Sequence, residues 1–186
     1  MPEVRRVKVY EIHELSPEAQ KKAYKEWAYY SDYPWHNDKM KTLSEFCRIF
    51  NIDAYDWEYG IDYGYIYWRY AGENENLLKG KGKALARWLE REYGWLINED
   101  CPLTGYCMDE DILEPMKKFV KNPSDDVTLR DLLDDCLNQW VDACSMDIED
   151  YFTMENFKET CIANGWLFLE DGTLWKFGGE VEANSN

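Results

Sequence analysis

Residues 51–70 read Asn51-Ile52-Asp53-Ala54-Tyr55-Asp56-Trp57-Glu58-Tyr59-Gly60-Ile61-Asp62-Tyr63-Gly64-Tyr65-Ile66-Tyr67-Trp68-Arg69-Tyr70. This stretch decides the fold class. Asn51 to Tyr59 alternates aromatic and acidic residues, which predicts a strand with Tyr55, Trp57 and Tyr59 on one face and Asp56 and Glu58 on the other. Gly60 to Gly64 predicts the reversal, and Tyr65 to Tyr70 the returning strand, because Tyr, Trp and Ile suit a pleated surface and glycine permits a tight turn. An exposed aromatic sheet offers stacking faces for bases. Such platforms pair aromatics with cations, whereas here Asp53, Asp56, Glu58 and Asp62 are interleaved. The expectation is therefore an aromatic sheet face packed under helices.

Working outward, the flanking sequence predicts helices on both sides of this hairpin. Val4 to Ile12 alternates like a half-buried strand. Ser16-Pro17 then supplies an N-cap and a first-turn proline to a helix with Ala19, Ala23, Trp27 and Tyr30 on one face. Asn37 to Phe50 predicts a second helix with Leu43, Phe46, Cys47 and Phe50 inward. After Gly80-Lys81-Gly82-Lys83 comes a third, with Ala84, Leu85, Trp88 and Leu89 inward and Gly94 as its stop. A fourth begins at Asp109 and buries Ile112, Leu113, Met116, Phe119 and Val120, ending at Asn122-Pro123-Ser124. Thr128 and Asp131 form a capping-box pair before a long helix with Leu129, Leu132, Leu133, Cys136, Leu137, Trp140, Val141 and Cys144 buried. Thr153 caps a last helix containing Phe157, Cys161 and Ile162, which Asn164-Gly165 stops. Trp166 to Leu169 and Leu174 to Phe177 flank an Asp171-Gly172 turn, a hairpin signal. The expected fold is α+β: one small antiparallel sheet from the N-terminal strand and both hairpins, packed by about six helices. It forms a single domain over 1–177, with 178–186 as a frayed tail.

Composition narrows the partners. The chain has 186 residues, 45% of them apolar, so it can bury a core. Its 37 Asp and Glu against 21 Lys and Arg leave a formal net charge of −16. A surface of that sign repels phosphates, which argues against nonspecific binding to nucleic acid or to an anionic membrane. The charge is uneven. Residues 1–93 hold 15 basic and 16 acidic side chains, whereas 94–186 hold 6 and 21. On the long helix, Asp131, Asp135 and Asp142 recur opposite the apolar stripe with Asn138 between them, and Asp134 flanks them. Like charges so placed repel, and interspersed signs would give solubility at lower cost. These residues are therefore expected to face a basic partner.

Catalytic signals are weak. His13 and His36 stand apart from any nucleophile motif, and paired carboxylates mean little among 37. The Gly80–Lys83 segment lacks the spacing and hydroxyl of a phosphate loop, although Lys79, Lys81, Lys83, Arg87 and Arg91 make a minor basic patch. Neither Asp109-Glu110-Asp111 nor Asp125-Asp126 has the calcium-loop pattern, and the six scattered cysteines include no CxxC pair. The expectation is reduced cysteines, no metal, no cofactor and no enzymatic activity. No stretch is long and apolar enough to cross a bilayer. Met1 to Arg6 lacks the apolar segment of a secretory signal, so a cytoplasmic location is expected.

The opening Val9-Tyr10-Glu11-Ile12-His13-Glu14-Leu15-Ser16-Pro17-Glu18-Ala19-Gln20-Lys21-Lys22-Ala23, with Trp27 and Tyr29-Tyr30 beyond it, resembles a family of small phage and prophage proteins. Its members open with a strand and an E-L-S-x-E-A-x-x-K-A helix. The strand pair over Phe50 to Tyr70 is similar to one in that family, as is Ala163-Asn164-Gly165-Trp166-Leu167-Phe168-Leu169-Glu170-Asp171-Gly172. Together these segments cover about a third of the chain. Members are described as antitoxin-like, and some type II-A anti-CRISPR proteins look similar at the same opening, with no catalytic residues attached to it. The resemblance implies a phage-encoded anti-defence protein that inhibits a CRISPR effector nuclease by covering its basic nucleic-acid-binding surface. The residues expected to meet that surface are Asp109, Glu110, Asp111, Glu114, Asp131, Asp134, Asp135 and Asp142. The alternative is an antitoxin-like module that neutralises a basic toxin, or that regulates its own expression on DNA through the Lys79 to Arg91 patch.

Overall fold

The computed structural model describes residues 6–106 and 108–175. Residues 1–5, Cys107 and 176–186 lie outside it, and with them fall Val4, Lys176, Phe177 and the expected tail. The described residues form an α+β fold of six α-helices and two separate two-stranded antiparallel sheets. In chain order the elements are α1 (Pro17–Tyr30), α2 (His36–Phe50), β1 (Ile52–Gly60), β2 (Tyr63–Tyr70), α3 (Gly82–Asn98), α4 (Met108–Lys121), α5 (Leu129–Tyr151), α6 (Met154–Asn164), β3 (Leu167–Phe168) and β4 (Leu174–Trp175). Short 3-10 turns cover Ile12–Glu14 and Glu75–Lys79.

The chain divides into two compact units, one from Met1–Asp32 with Asp150–Asn186 and the other from Tyr33–Glu149. The steep change in charge after residue 93 falls inside α3, within the second unit.

In the first unit Ser16 caps α1 by accepting from the Ala19 amide at 3.2 Å, and Pro17 opens the helix. Ala19, Ala23 and Trp27 bury against Phe157 and Cys161 of α6 and against Ile12, Leu15 and Phe168. Thr153 caps α6 by accepting from the Asn156 amide, and Gly165 ends it at φ +61°. Within α6, Phe157 and Cys161 are buried while Ile162 is 64% exposed. The Asp171-Gly172 turn between β3 and β4 is held by Lys22, whose Nζ bonds Asp171 Oδ2 at 2.7 Å and Thr173 Oγ1 at 3.0 Å. Of the expected strand over Val4 to Ile12, the described residues 6–12 show one antiparallel bridge, between Tyr10 and Phe168. Ile12 turns into a 3-10 helix instead, closed by reciprocal bonds between Glu11 and Glu14. The expected single sheet therefore becomes two, with β1 and β2 pairing only with each other.

The second unit is built on α5. Trp140 is fully buried, and its ring lies edge-on to Trp57 at 5.9 Å and to Tyr59 at 5.5 Å. Leu132, Leu133, Cys136, Leu137 and Cys144 of α5 join Leu85 and Leu89 of α3, Ile112, Leu113 and Met116 of α4, and Phe46 of α2 in one apolar cluster. α3 buries Ala86 rather than Ala84, which is exposed. It also runs through Gly94 to Asn98, bending at Tyr93 (φ −128°, ψ 23°) rather than stopping. Leu96, fully buried beyond the bend, explains why the helix continues: ending it at Gly94 would forfeit that side chain's burial.

Candidate protein-binding surface

The hairpin lies along α5 and has two unlike faces. Pairing runs Ile52 with Tyr70, Asp53 with Arg69, and Ala54 with Trp68. After a bulge at Tyr55 it resumes with Asp56 against Tyr67, Trp57 against Ile66, and Glu58 against Tyr65. The extra residue shifts the alternation by one. As a result Ile52 and Ala54 before the bulge and Trp57 and Tyr59 after it all face the core, with Ile66, Trp68 and Tyr70. Tyr55, expected on the face of Trp57 and Tyr59, is instead 58% exposed. Tyr63, Tyr65 and Tyr67 are also exposed, so only one face of the aromatic hairpin is packed under helices.

The eight acidic residues anticipated for a partner divide sharply. Asp109 is fully buried, which corrects its assignment as a docking residue. Its Oδ1 accepts from the Thr42 hydroxyl at 2.9 Å and the Thr104 hydroxyl at 2.7 Å. Its Oδ2 accepts from the amides of Leu103, Thr104 and Gly105 at 2.9, 2.6 and 3.0 Å. Asp109 thus ties the loop before α4 to α2. An acid in the first helical turn suggested dipole compensation, and the pattern held no sign that a loop would fold over it.

Three others are engaged, Asp131 and Glu114 exposed and Asp134 half-buried. Asp131 accepts from the Thr128 amide and hydroxyl at 2.9 and 2.6 Å while Thr128 Oγ1 accepts from the Asp131 amide at 3.2 Å, completing the anticipated box. The Thr128 hydroxyl and amide hold its carboxyl below the usual carboxylate range. Asp134 accepts from the Trp68 indole, over which the Arg130 guanidinium sits 5.1 Å from the ring centre. Glu114 pairs with Lys118 at 3.0 Å.

Glu110, Asp111, Asp135 and Asp142 form no salt bridge among the described residues. Desolvation pushes the Asp111 carboxyl up, followed by repulsion from Asp147, Glu114 and Glu110. It pushes up Asp135 as well, with Asp131 and Asp134 adding to the effect. Asp135 and Asp142 line a groove of about 760 Å3 between α4 and α5, with Lys118 and Lys121 on the opposite bank. Asp142 also borders a smaller acidic cleft with Asp62 and Glu149, beside Tyr63 and Ser145.

Asp147 is not among the anticipated residues, yet it neutralises an unusual core cation. Lys39 is 3% exposed, and its Nζ bonds Asp147 Oδ2 at 2.8 Å and the Cys144 carbonyl at 3.3 Å, 4.7 Å from the Tyr33 ring centre. A buried ammonium demands such partners. The spacing of Lys39 along α2, on the face that carries Phe46, was the available signal.

On the opposite side of the charge balance, Lys79, Lys81, Lys83, Arg87 and Arg91 are all exposed. Lys79 bonds Asn76, and Arg91 bonds Glu92. Among the described residues Lys81, Lys83 and Arg87 make no ion pair. Burial pushes the Cys47 thiol up to about 11 and those of Cys144 and Cys161 to about 12, which leaves them weak nucleophiles at neutral pH. Among the described residues no three His, Cys, Asp or Glu side chains converge to hold a metal. No helix there is long and apolar enough to cross a membrane. No family model matches the chain, and no curated protein or solved structure matches it either.

Proposed function

We propose that this protein is a stoichiometric binder rather than an enzyme, and that its acidic face covers the basic nucleic-acid-binding surface of another protein. Within that class we assign it as a phage-encoded anti-defence protein of the bacterial cytoplasm that inhibits a CRISPR effector nuclease. The assignment of effector comes from the resemblance of the opening segment. The carrying observation is the set Glu110, Asp111, Asp135 and Asp142, which make no salt bridge among the described residues. A channel that grips a nucleic-acid backbone is lined by Lys and Arg. Carboxylates presented to it gain charge-assisted hydrogen bonds and steer association.

The test titrates the full chain against a CRISPR effector nuclease and follows target-DNA cleavage at 50 and 300 mM salt. Inhibition saturating at one equivalent and weakening at the higher salt supports the reading. So does a loss of about tenfold or more in potency for Glu110→Gln/Asp111→Asn/Asp135→Asn/Asp142→Asn. Full potency in that variant overturns it.

A second reading rests on Lys81, Lys83 and Arg87 at the start of α3, which make no ion pair among the described residues. In that reading the protein regulates its own expression by holding duplex DNA there. Duplex binding that disappears in Lys81→Gln/Arg87→Gln and falls with salt would select it over the first.

A further inference from the structure

The outer face of the hairpin repeats one arrangement with a part missing. At its open end Arg69 bonds Asp53 at 2.6 Å, and its guanidinium lies 5.8 Å from the centre of the Tyr55 ring. On the core-facing side, where Trp68 meets α5, Arg130, the Trp68 ring and Asp134 make another set of cation, aromatic ring and carboxylate. Along the outer face only the aromatic and carboxylate parts recur. The Tyr65 hydroxyl lies 3.4 Å from Asp56 Oδ1, and the Tyr63 hydroxyl bonds Glu58 Oε1 at 3.1 Å. Neither Asp56 nor Glu58 makes a salt bridge among the described residues, so these two sets have ring and anion but no cation.

We propose that the outer face of β1 and β2 is a docking surface for an extended arginine-rich segment of a protein partner, whose guanidinium groups complete the sets at Tyr65–Asp56 and Tyr63–Glu58. Charge complementarity selects this occupant: Asp53, Asp56 and Glu58 stand on the face with Arg69 as its single cation. Tyrosine supplies large contact area with few rotors to freeze, so it loses little entropy on binding. Bonds from the hydroxyls to the two carboxylates hold the rings before a partner arrives. The Tyr63 hydroxyl is raised chiefly through its bond to Glu58, and that of Tyr65 by desolvation, with Asp56 and Glu58 adding to it.

The register adds a spacing rule. Successive outward residues on a strand repeat about every 7 Å, which is also the spacing of alternate side chains on an extended peptide. Arginines at every second position of the partner segment therefore meet successive sets. The inference rests on the reading that the partner is a basic protein, and it adds which face receives which side chains.

The experiment uses the full chain and two eight-residue peptides of the same composition, four arginines and four serines. One alternates the two residues and the other carries its arginines at one end. Affinity is read by calorimetry and location by amide chemical shifts. The alternating peptide is expected to bind tighter, with shifts at Asp56, Glu58, Tyr63 and Tyr65. Asp56→Asn/Glu58→Gln is expected to weaken it about tenfold, the effect of two exposed cation–π and ion-pair sets. Asp135→Asn/Asp142→Asn is expected to leave it unchanged. Equal binding of the two peptides, or unaltered binding to the Asp56→Asn/Glu58→Gln chain, overturns the inference. So does a single-stranded DNA decamer that binds this face and is released by Tyr65→Ala, since the rings would then be stacking bases. If only the Asp135→Asn/Asp142→Asn chain loses the peptide, the hairpin surface is refuted while an acidic binder on α5 stands.

Discussion

The two faces of the β1–β2 hairpin are made of nearly the same residue types and have opposite fates. Trp57 and Tyr59 pack against Trp140, with Ile66 and Trp68 beside them on the core, whereas Tyr55, Tyr63, Tyr65 and Tyr67 are exposed. Aromatic content alone therefore says little about burial. The alternation of the strands and one bulge decide which rings are core and which are surface. The acids divide in the same way, Asp109 inside and Asp135 outside. Stability and binding should respond to different halves of each pair.

The largest effect that would sharpen this contrast is Trp140→Ala. The ring is fully buried, meets Trp57 and Tyr59 edge-on, and its Nε1 donates to the Lys39 carbonyl at 3.3 Å. Its removal should cost about 3–5 kcal/mol, read from urea denaturation. Tyr67→Ala on the other face should stay within about 0.5 kcal/mol. A comparable loss at Tyr67 would break the comparison.

Asp109→Asn follows. The amide keeps one acceptor: either its NH2 faces the three backbone donors, which then have nothing to meet, or it faces the Thr42 and Thr104 hydroxyls, which lose the oxygen they donate to. Leaving such buried groups unmatched should cost about 3 kcal/mol, with the loop at Leu103 to Gly105 losing amide-exchange protection first. Gly64→Ala is next. It pairs with Tyr59 on the inner face, where a methyl group would collide with Val141 Cγ1 of α5. Overpacking there should cost about 1–3 kcal/mol. On the outer face the same change at Gly60 meets only the end of the Tyr63 ring, and its melting curve should barely move.

Much of this was legible in local sequence. Ser16-Pro17, Thr128 with Asp131, Thr153 and Asn164-Gly165 mark helix ends through bonds made within a few residues, and each sits at a helix end in the structure. Of the anticipated docking residues, Glu110, Asp111, Asp135 and Asp142 stand free of salt bridges among the described residues. What escaped depends on distant partners. The Tyr55 bulge is set by how β1 must lie to bury both Ala54 and Trp57, and no alternation rule contains that. Asp109 looked like a surface acid because its donors come from Thr42 and from a loop whose closure is tertiary. Val4 to Ile12 had a strand's alternation, but pairing needs a neighbour, and among the described residues β3 offers one at Phe168 alone. Gly94 was read as a stop, yet Leu96 and its burial carry α3 onward.

The smallest effect concerns Asp135 and has the opposite sign. Desolvation and the nearby Asp131 and Asp134 push its carboxyl above the unfolded value of 3.8. A carboxyl raised on folding favours the native state below that value, and the benefit is lost as pH rises through the folded-state value. At pH 7 ionised Asp135 therefore works against folding, and Asp135→Asn should stabilise the chain by a few tenths of a kcal/mol, the usual scale for like charges four apart on a helix. The gain should vanish below pH 3.8. Asp131, lowered by Thr128, runs the other way: its contribution is present above 3.8 and lost as pH falls through its folded-state value, so Asp131→Asn should destabilise at pH 7 and become neutral in acid. Thermal melts of both variants at pH 3 and 7 read the two signs directly. A stabilising Asp135→Asn that also weakens the proposed complex would mark Asp135 as a charge that α5 carries for binding at the expense of its own fold.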